Sequence, residues 1–225
     1  MKSYKLIHHL LTLVEQLEAE NNGREIAIDD FAGYLLNHVS HSTQKHDNAD
    51  IRFGQNDQYA QELAFQLDNN IGRLFIYMSR YAKSYIKKAL DGTALQTAEE
   101  FTCLAILLTH DQLSKTELIS HNQQEKTSGT EVIRRLLAAG LVEQFDNPND
   151  KRSKNLSITS KGTTLLHEVF VDMGYVGKMI TGKLSLADKL TLQHLLQKLE
   201  KFHYEHYQKK TITSKADLQL FVEAV

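Results

Sequence analysis

The sequence predicts a mainly α-helical protein that carries one small β-hairpin, and three observations lead there. Only one proline occurs in 225 residues and glycines are few, so few positions are barred from helix. Apolar residues recur at three- and four-residue steps through most of the chain, which gathers them on one side of a helix. The exception is the stretch 140–162, GLVEQFDNPNDKRSKNLSITSKG. Its residues 141–145 and 155–159 alternate apolar with polar, as half-buried strands do, around a cluster of turn formers.

In chain order, residues 3–20 fit an amphipathic helix with Leu6, Leu10, Leu13 and Leu17 inward, stopped by Asn21, Asn22 and Gly23. Asp29 or Asp30 then caps a second helix carrying Phe31, Tyr34, Leu35 and Val39. Residues 40–58 are polar, with Ile51 and Phe53 their large apolar members, so residues 1–58 read as a helical extension and a linker. From 59 to 90 a single long helix is expected. Leu67, Ile71, Leu74, Met78, Tyr81 and Tyr85 form a seam that Phe75, Ala82 and Ile86 widen, enough to pack on its own domain and on a partner subunit. Asp91-Gly92 breaks it, and residues 97–109 make the next helix around Phe101, Leu104, Ala105 and Leu108.

Ser114-Lys115-Thr116-Glu117 is a capping-box start for a short helix to about Ser120. A polar turn, 121–125, leads to a helix over 126–139 with Val132, Ile133, Leu136 and Leu137 on one face. Thr127, Ser128, Thr130, Glu131, Arg134 and Arg135 take the other positions. Gly140 ends it. In the hairpin that follows, Asp146, Asn147, Pro148, Asn149 and Asp150 crowd turn formers together, and Lys151, Arg152 and Lys154 surround the tip with cations. The expectation is a long charged loop rather than a tight two-residue turn, with Leu156 and Ile158 inward on the returning strand. A cationic tip does not bury, and its donors suit phosphate oxygens or a minor groove. Taken singly, a Ser/Thr-rich helix start is also a cap and cations at a turn are also a solvated loop. Two helices and a basic hairpin in this order make a helix-turn-helix with a wing.

The run Asn147-Pro148-Asn149-Asp150-Lys151-Arg152-Ser153, followed by Leu156, Thr159 and Gly162, resembles the MarR family of winged-helix transcription regulators, through its D-x-R-S wing signature, L-x-x-T and glycine. The resemblance covers about residues 65–208. It implies a winged helix-turn-helix with a small β-hairpin wing and long terminal dimerisation helices, in a domain over 59–208 whose DNA-binding core is about 95–162. It also implies a ligand-responsive repressor that binds double-stranded DNA as a homodimer on two half-sites about one helical turn apart. The recognition helix would begin at Lys126-Thr127-Ser128. DNA contacts would come from Lys126, Thr127, Ser128, Thr130, Glu131 and Arg134 on that helix and from Lys151, Arg152, Ser153 and Lys154 on the wing. Glu131 departs from the pattern, since a carboxylate there either accepts from cytosine or repels phosphate. Tyr77, Phe101, Met173 and Tyr175 lie on helices expected to flank the cleft between dimer base and DNA-binding head, a place for a small-molecule effector.

After the wing, Thr159 or Ser160 caps a helix through Leu165, Leu166, Val169, Phe170 and Met173 to about Ile180. Ser185-Leu186-Ala187-Asp188 opens a last long helix with Leu192, Leu195, Leu196, Leu199 and Phe202. Residues 209–225 are expected to be a C-terminal tail of low order.

Charge is uneven beneath a net of −2. Residues 1–67 hold five Lys and Arg against ten acids, whereas 113–162 hold eight against six. That modest excess suits DNA better when a dimer doubles the phosphate contacts. No apolar run is long enough to span a membrane and no signal-like core follows the N-terminus, so no membrane partner and a cytoplasmic location are expected. Cys103, the single cysteine, sits among apolar neighbours and reads as an inert buried thiol. Neither G-x-G-x-x-G, P-loop nor H-E-x-x-H is present, so neither enzyme activity nor a cofactor is expected. His38 and His41, with His46 beyond, and His203 and His206 stand one helical turn apart. Lacking a companion cysteine or carboxylate at ligand spacing, they read as surface histidines and no metal site is assigned. Two alternatives stay open: a winged-helix protein-interaction module without DNA binding, and a metal-responsive regulator using the histidine pairs.

Overall fold

The computed structural model describes residues 2–21, 26–43, 52, 54, 56–147 and 150–223, with side chains for all of these except 2, 36–43, 150–153 and 223. The chain divides into two compact units, residues 1–69 and 70–225.

In the first unit, α1 (Lys2–Glu20) pairs with α2 (Ile28–Thr43). Leu13 is buried, and Leu10, Val14 and Leu17 are half-buried beside it, as are Phe31, Tyr34 and Leu35 on α2. Leu6, expected inward, is 60% exposed one turn beyond this stripe. Asp30 caps from inside the first turn of α2, its carboxylate accepting the Ala27 N–H at 3.0 Å. Val39, His38, His41 and His46 lie outside the described side chains.

The helix expected over 59–90 is two helices, α3 (Gln58–Phe65) and α4 (Leu67–Ala89). Gln66 turns to ψ 140° between them. Asn69 then donates to Leu63 O at 3.0 Å and to the Gln66 side chain at 3.2 Å, satisfying groups at the break. The apolar seam runs on past the break, so periodicity gave no warning of it.

The second unit is built on the core of the winged head. α5 (Ala98–Leu108), β1 (Leu113–Ser114), α6 (Lys115–His121), α7 (Lys126–Ala138), β2 (Val142–Asn147), β3 (Asp150–Ile158) and α8 (Ser160–Thr181) follow in order. Leu104, Leu107, Leu118, Ile133, Leu136, Leu141, Leu156 and Leu166 are buried together. Ile86 from α4 and Phe101 and Met173 pack against that cluster. Two helix starts follow the expected caps, a reciprocal capping box at Ser114/Glu117 and Thr159 accepting the Gly162 N–H, and α5 adds a box at Thr97/Glu100 that sequence reading did not name. The sheet has the order β1-β3-β2, all antiparallel, with Leu113 opposite Leu156 and Val142 opposite Ile158. Sequence reading missed β1, whose two residues are too few to alternate.

α9 (Leu186–Lys209) opens on the Ser185/Asp188 box. Residues past 209 were expected to have low order, but 215–223 form α10 (Lys215–Glu223). Its start is another box: Asp217 accepts from Thr213 and Ser214, and Ser214 Oγ accepts the Asp217 N–H at 3.2 Å. The Ser214-x-x-Asp217 spacing was the available signal. Phe221 of α10 packs edge-on against Phe202 of α9, 5.7 Å between ring centres.

Candidate nucleic-acid interface

The helix-turn-helix depends on how closely α6 and α7 approach. A Cβ on Gly129 would come within 2.7 Å of the Ile119 side chain, so this face of α7 accepts only glycine without a shift. The turn reverses through Gln123, held in the left-handed region at φ 50°, and its N–H and that of Gln124 close on Ser120 O and Ile119 O at 3.0 and 3.1 Å. Gly129, Val132, Ile133 and Leu136 bury one side of α7. Lys126, Thr127, Ser128, Thr130 and Arg134 are exposed on the rest. Glu125 stands at the N-cap without a side-chain cap hydrogen bond, and an N-terminal first turn of this kind favours negative charge. The Thr130 hydroxyl donates to Lys126 O at 2.6 Å, which leaves its oxygen able to accept.

Glu131 is not a lone carboxylate. Arg134 grips it through Nε and an Nη at 2.8 and 2.7 Å, and Arg135 approaches at 3.5 Å. The Arg134 guanidinium holds the Glu131 carboxyl below the usual carboxylate range. Arg135 also donates at 2.5 Å to Glu100, which is 2% exposed and at the same time accepts from the Gln96 and Thr97 backbones. Arg135 thus ties α7 to α5 and serves the inside of the head. The local cation excess read from the sequence is offset here, two arginines against two acids.

The hairpin corrects an expectation. Its strands run further into the polar stretch than alternation suggested, and Asn147 stands opposite Asp150, so the chain reverses across two positions rather than through a long loop. Backbone pairing needs no apolar side chain, and it carries the ladder into the polar residues 146–147 and 150–154 that side-chain pattern leaves unmarked. The register shifts between Asp146 and Asn147, and residues 151–153 occupy the shifted interval on β3. The side chains of Lys151, Arg152 and Ser153 lie outside the described residues. Lys154 pairs with Asp146 directly across the hairpin. A Cβ on Gly162 would meet Leu141 O at 2.2 Å, which fixes where α8 starts beneath the wing.

The four residues expected around an effector lie on α4, α5 and α8. Phe101 packs edge-to-face on Phe170 at 5.9 Å, and Met173 joins the core. Tyr175 is 64% exposed on α8 with Lys178 over its ring, and Tyr77 lies under Arg80 on α4. Cys103 is fully buried. Asn122 Nδ2 donates to its sulfur at 3.1 Å, and burial, with Glu100 and Glu99 adding to it, pushes the thiol up to about 12. Among the described residues no three His, Cys, Asp or Glu side chains gather to hold a metal, and no helix is long and apolar enough to cross a membrane.

Residues 97–154, from the α5 cap into β3, match the model of the MarR family. The transcriptional repressor NicR of Pseudomonas putida is 25% identical over 103 residues, 46% of this chain and 65% of NicR, a little under two thirds of that protein. The multiple antibiotic resistance protein MarR of Salmonella typhimurium is 27% identical over 130 residues, 57% of this chain and 90% of its own. Among solved structures, wild-type apo MarR from E. coli superposes with a TM-score of 0.51 at 25% identity, covering 57% of this chain and 94% of that one. A mutant E. coli MarR complexed with operator DNA gives 0.52 at 26% identity, with 60% and 98% covered. With the winged head, its wing signature and these matches together, residues 97–154 are similar to the MarR family of winged helix-turn-helix regulators.

Proposed function

We propose that the chain binds double-stranded DNA sequence-specifically as a homodimer, is not an enzyme, works in the cytoplasm and represses transcription. The observation that carries this is the exposed run Lys126, Thr127, Ser128 and Thr130 along the first turns of α7, opposite its buried face and flanked by the β2–β3 hairpin. Short hydroxyl and ammonium donors at a helix N-terminus fit base edges and phosphates in a major groove. On this reading Glu131 and Arg134 enter as a bonded pair, the carboxylate orienting the guanidinium, and the hairpin brings Lys151, Arg152, Ser153 and Lys154 to the adjoining backbone or minor groove. The operator-bound E. coli relative and the repressor NicR support the same assignment.

Dimerisation is supported by apolar side chains that the single chain leaves uncovered. Ile71, Leu74 and Met78 on α4, Val171 and Met179 on α8, and Leu190, Leu195 and Leu199 on α9 are all at least 40% exposed. Runs of this kind on long helices mark an interface. A small-molecule effector acts on such a dimer by binding one spacing of the two heads better than the other. Selecting bound fragments from the source genome and measuring affinity on them tests the reading. Recovery of a shared, pseudo-palindromic motif is expected. Failure to enrich any sequence, from protein that is folded and dimeric, would favour a protein-interaction module instead.

A further inference from the structure

Within the second unit, the C-terminal helices and the helix-turn-helix line a cavity of about 600 Å³. On one side stand Ser120 of α6 and Glu125, the N-cap residue of α7. The opposite wall is made by Phe202 and His206 of α9 and by Phe221 of α10, whose ring centres lie 4.6 to 5.7 Å apart. Lys210, left-handed at φ 50°, ends α9 and swings the chain round so that Ile212 and Leu218 complete the rim.

Three features define what fits. The volume lies within the range of small-molecule sites. The wall is aromatic and still open to water, with Phe202 42% and Leu218 55% exposed, so a flat apolar body gains both burial and ring contacts there. A carboxylate and an ammonium both line the space, so an anion would meet the like charge of Glu125 and a cation that of Lys210. A neutral compound meets neither penalty, and His203 and Thr213 offer it hydrogen bonds. We propose that this cavity binds a small neutral aromatic compound and couples it to α7 through Glu125. The site shares no residue with the expected effector group, and its C-terminal wall lies outside the residues that match the family model. The binding stands on the cavity alone, and the coupling rests on the DNA-binding reading.

The test is calorimetric titration of the full chain, without DNA, using naphthol as the neutral probe and naphthoate and naphthylmethylammonium as its charged counterparts. Naphthol should saturate one site per chain and bind more tightly than either ion. Phe221→Ala should weaken it by about tenfold, the size of a lost aromatic contact. Leu218→Trp should weaken it by filling the rim while leaving the wall in place, and Glu125→Gln should strengthen naphthoate. Absence of saturable naphthol binding, a preference for naphthoate, or full naphthol binding by both Phe221→Ala and Leu218→Trp would overturn the site. Coupling is read separately, as a shift in DNA affinity with naphthol bound, matched by the same factor in naphthol affinity with DNA bound. A chain that binds naphthol with unaltered DNA affinity lacks the coupling, and one that binds naphthol but no DNA keeps the site and loses the DNA-binding reading.

Discussion

Gln123 adopts a backbone conformation that suits glycine, φ 50°, at the one point where α6 must reverse into α7. Left-handed backbone costs an ordinary residue about 1–2 kcal/mol, part of which glycine returns through its larger unfolded-state entropy. Gln123→Gly should therefore raise stability by up to about 1 kcal/mol and Gln123→Val should lower it by a similar amount, both read from denaturant midpoints. Neither Gln123 nor Gly129 announced itself in the sequence: Gln123 looks like any polar turn residue, and Gly129 looks like a weak spot in a helix until the Ile119 side chain is seen beneath it. Cys103 was readable, because its apolar neighbours already placed it inside. With its thiol pushed up to about 12, chiefly by burial, the reactive thiolate is scarce at pH 8. A disulfide reagent should label folded protein far more slowly than protein in denaturant, and equal rates would contradict the buried environment.

At the scale of elements, the sequence marked what local chemistry decides and missed what pairing decides. The caps at Ser114 and Ser185 follow from paired side chains three residues apart, and that at Thr159 from a hydroxyl three residues before the Gly162 N–H it accepts. The α3–α4 break rests on Asn69 reaching back to Leu63, and β1 exists only because β3 is there to pair with it. The wing is the same case: its motif was plain, while the extent of its strands was not. Arg152→Ala tests what the wing does. Folding should change by within about 0.5 kcal/mol, as for surface substitutions generally. DNA binding should weaken by about 1–3 kcal/mol, and the salt slope should flatten by about one unit per lost phosphate contact. A larger loss on A·T-rich flanks would place the guanidinium in a narrow minor groove. Unchanged affinity on every duplex would remove the wing from the mechanism.

At the scale of the whole molecule, a family motif within residues 147–162 pointed to the winged head, while the acidic first unit and α10 lay beyond its reach. Exposed leucines on α9 suggest how the second unit assembles. Leu195→Glu, placing a charge in that face, should convert a sedimenting dimer into monomer at micromolar concentration without loss of helix content, and a wild-type chain that sediments as a monomer would contradict the interface. Monomeric heads should then bind DNA weakly, because each engages one half-site. The most direct measurement is anisotropy titration of the intact protein on a genome-selected duplex and on its scrambled counterpart across a series of salt concentrations. The account predicts a clear preference for the selected duplex and a steep fall in affinity with salt on both, from the phosphates that two heads and two wings engage. Equal affinity for the two duplexes, with no response to salt, would contradict it.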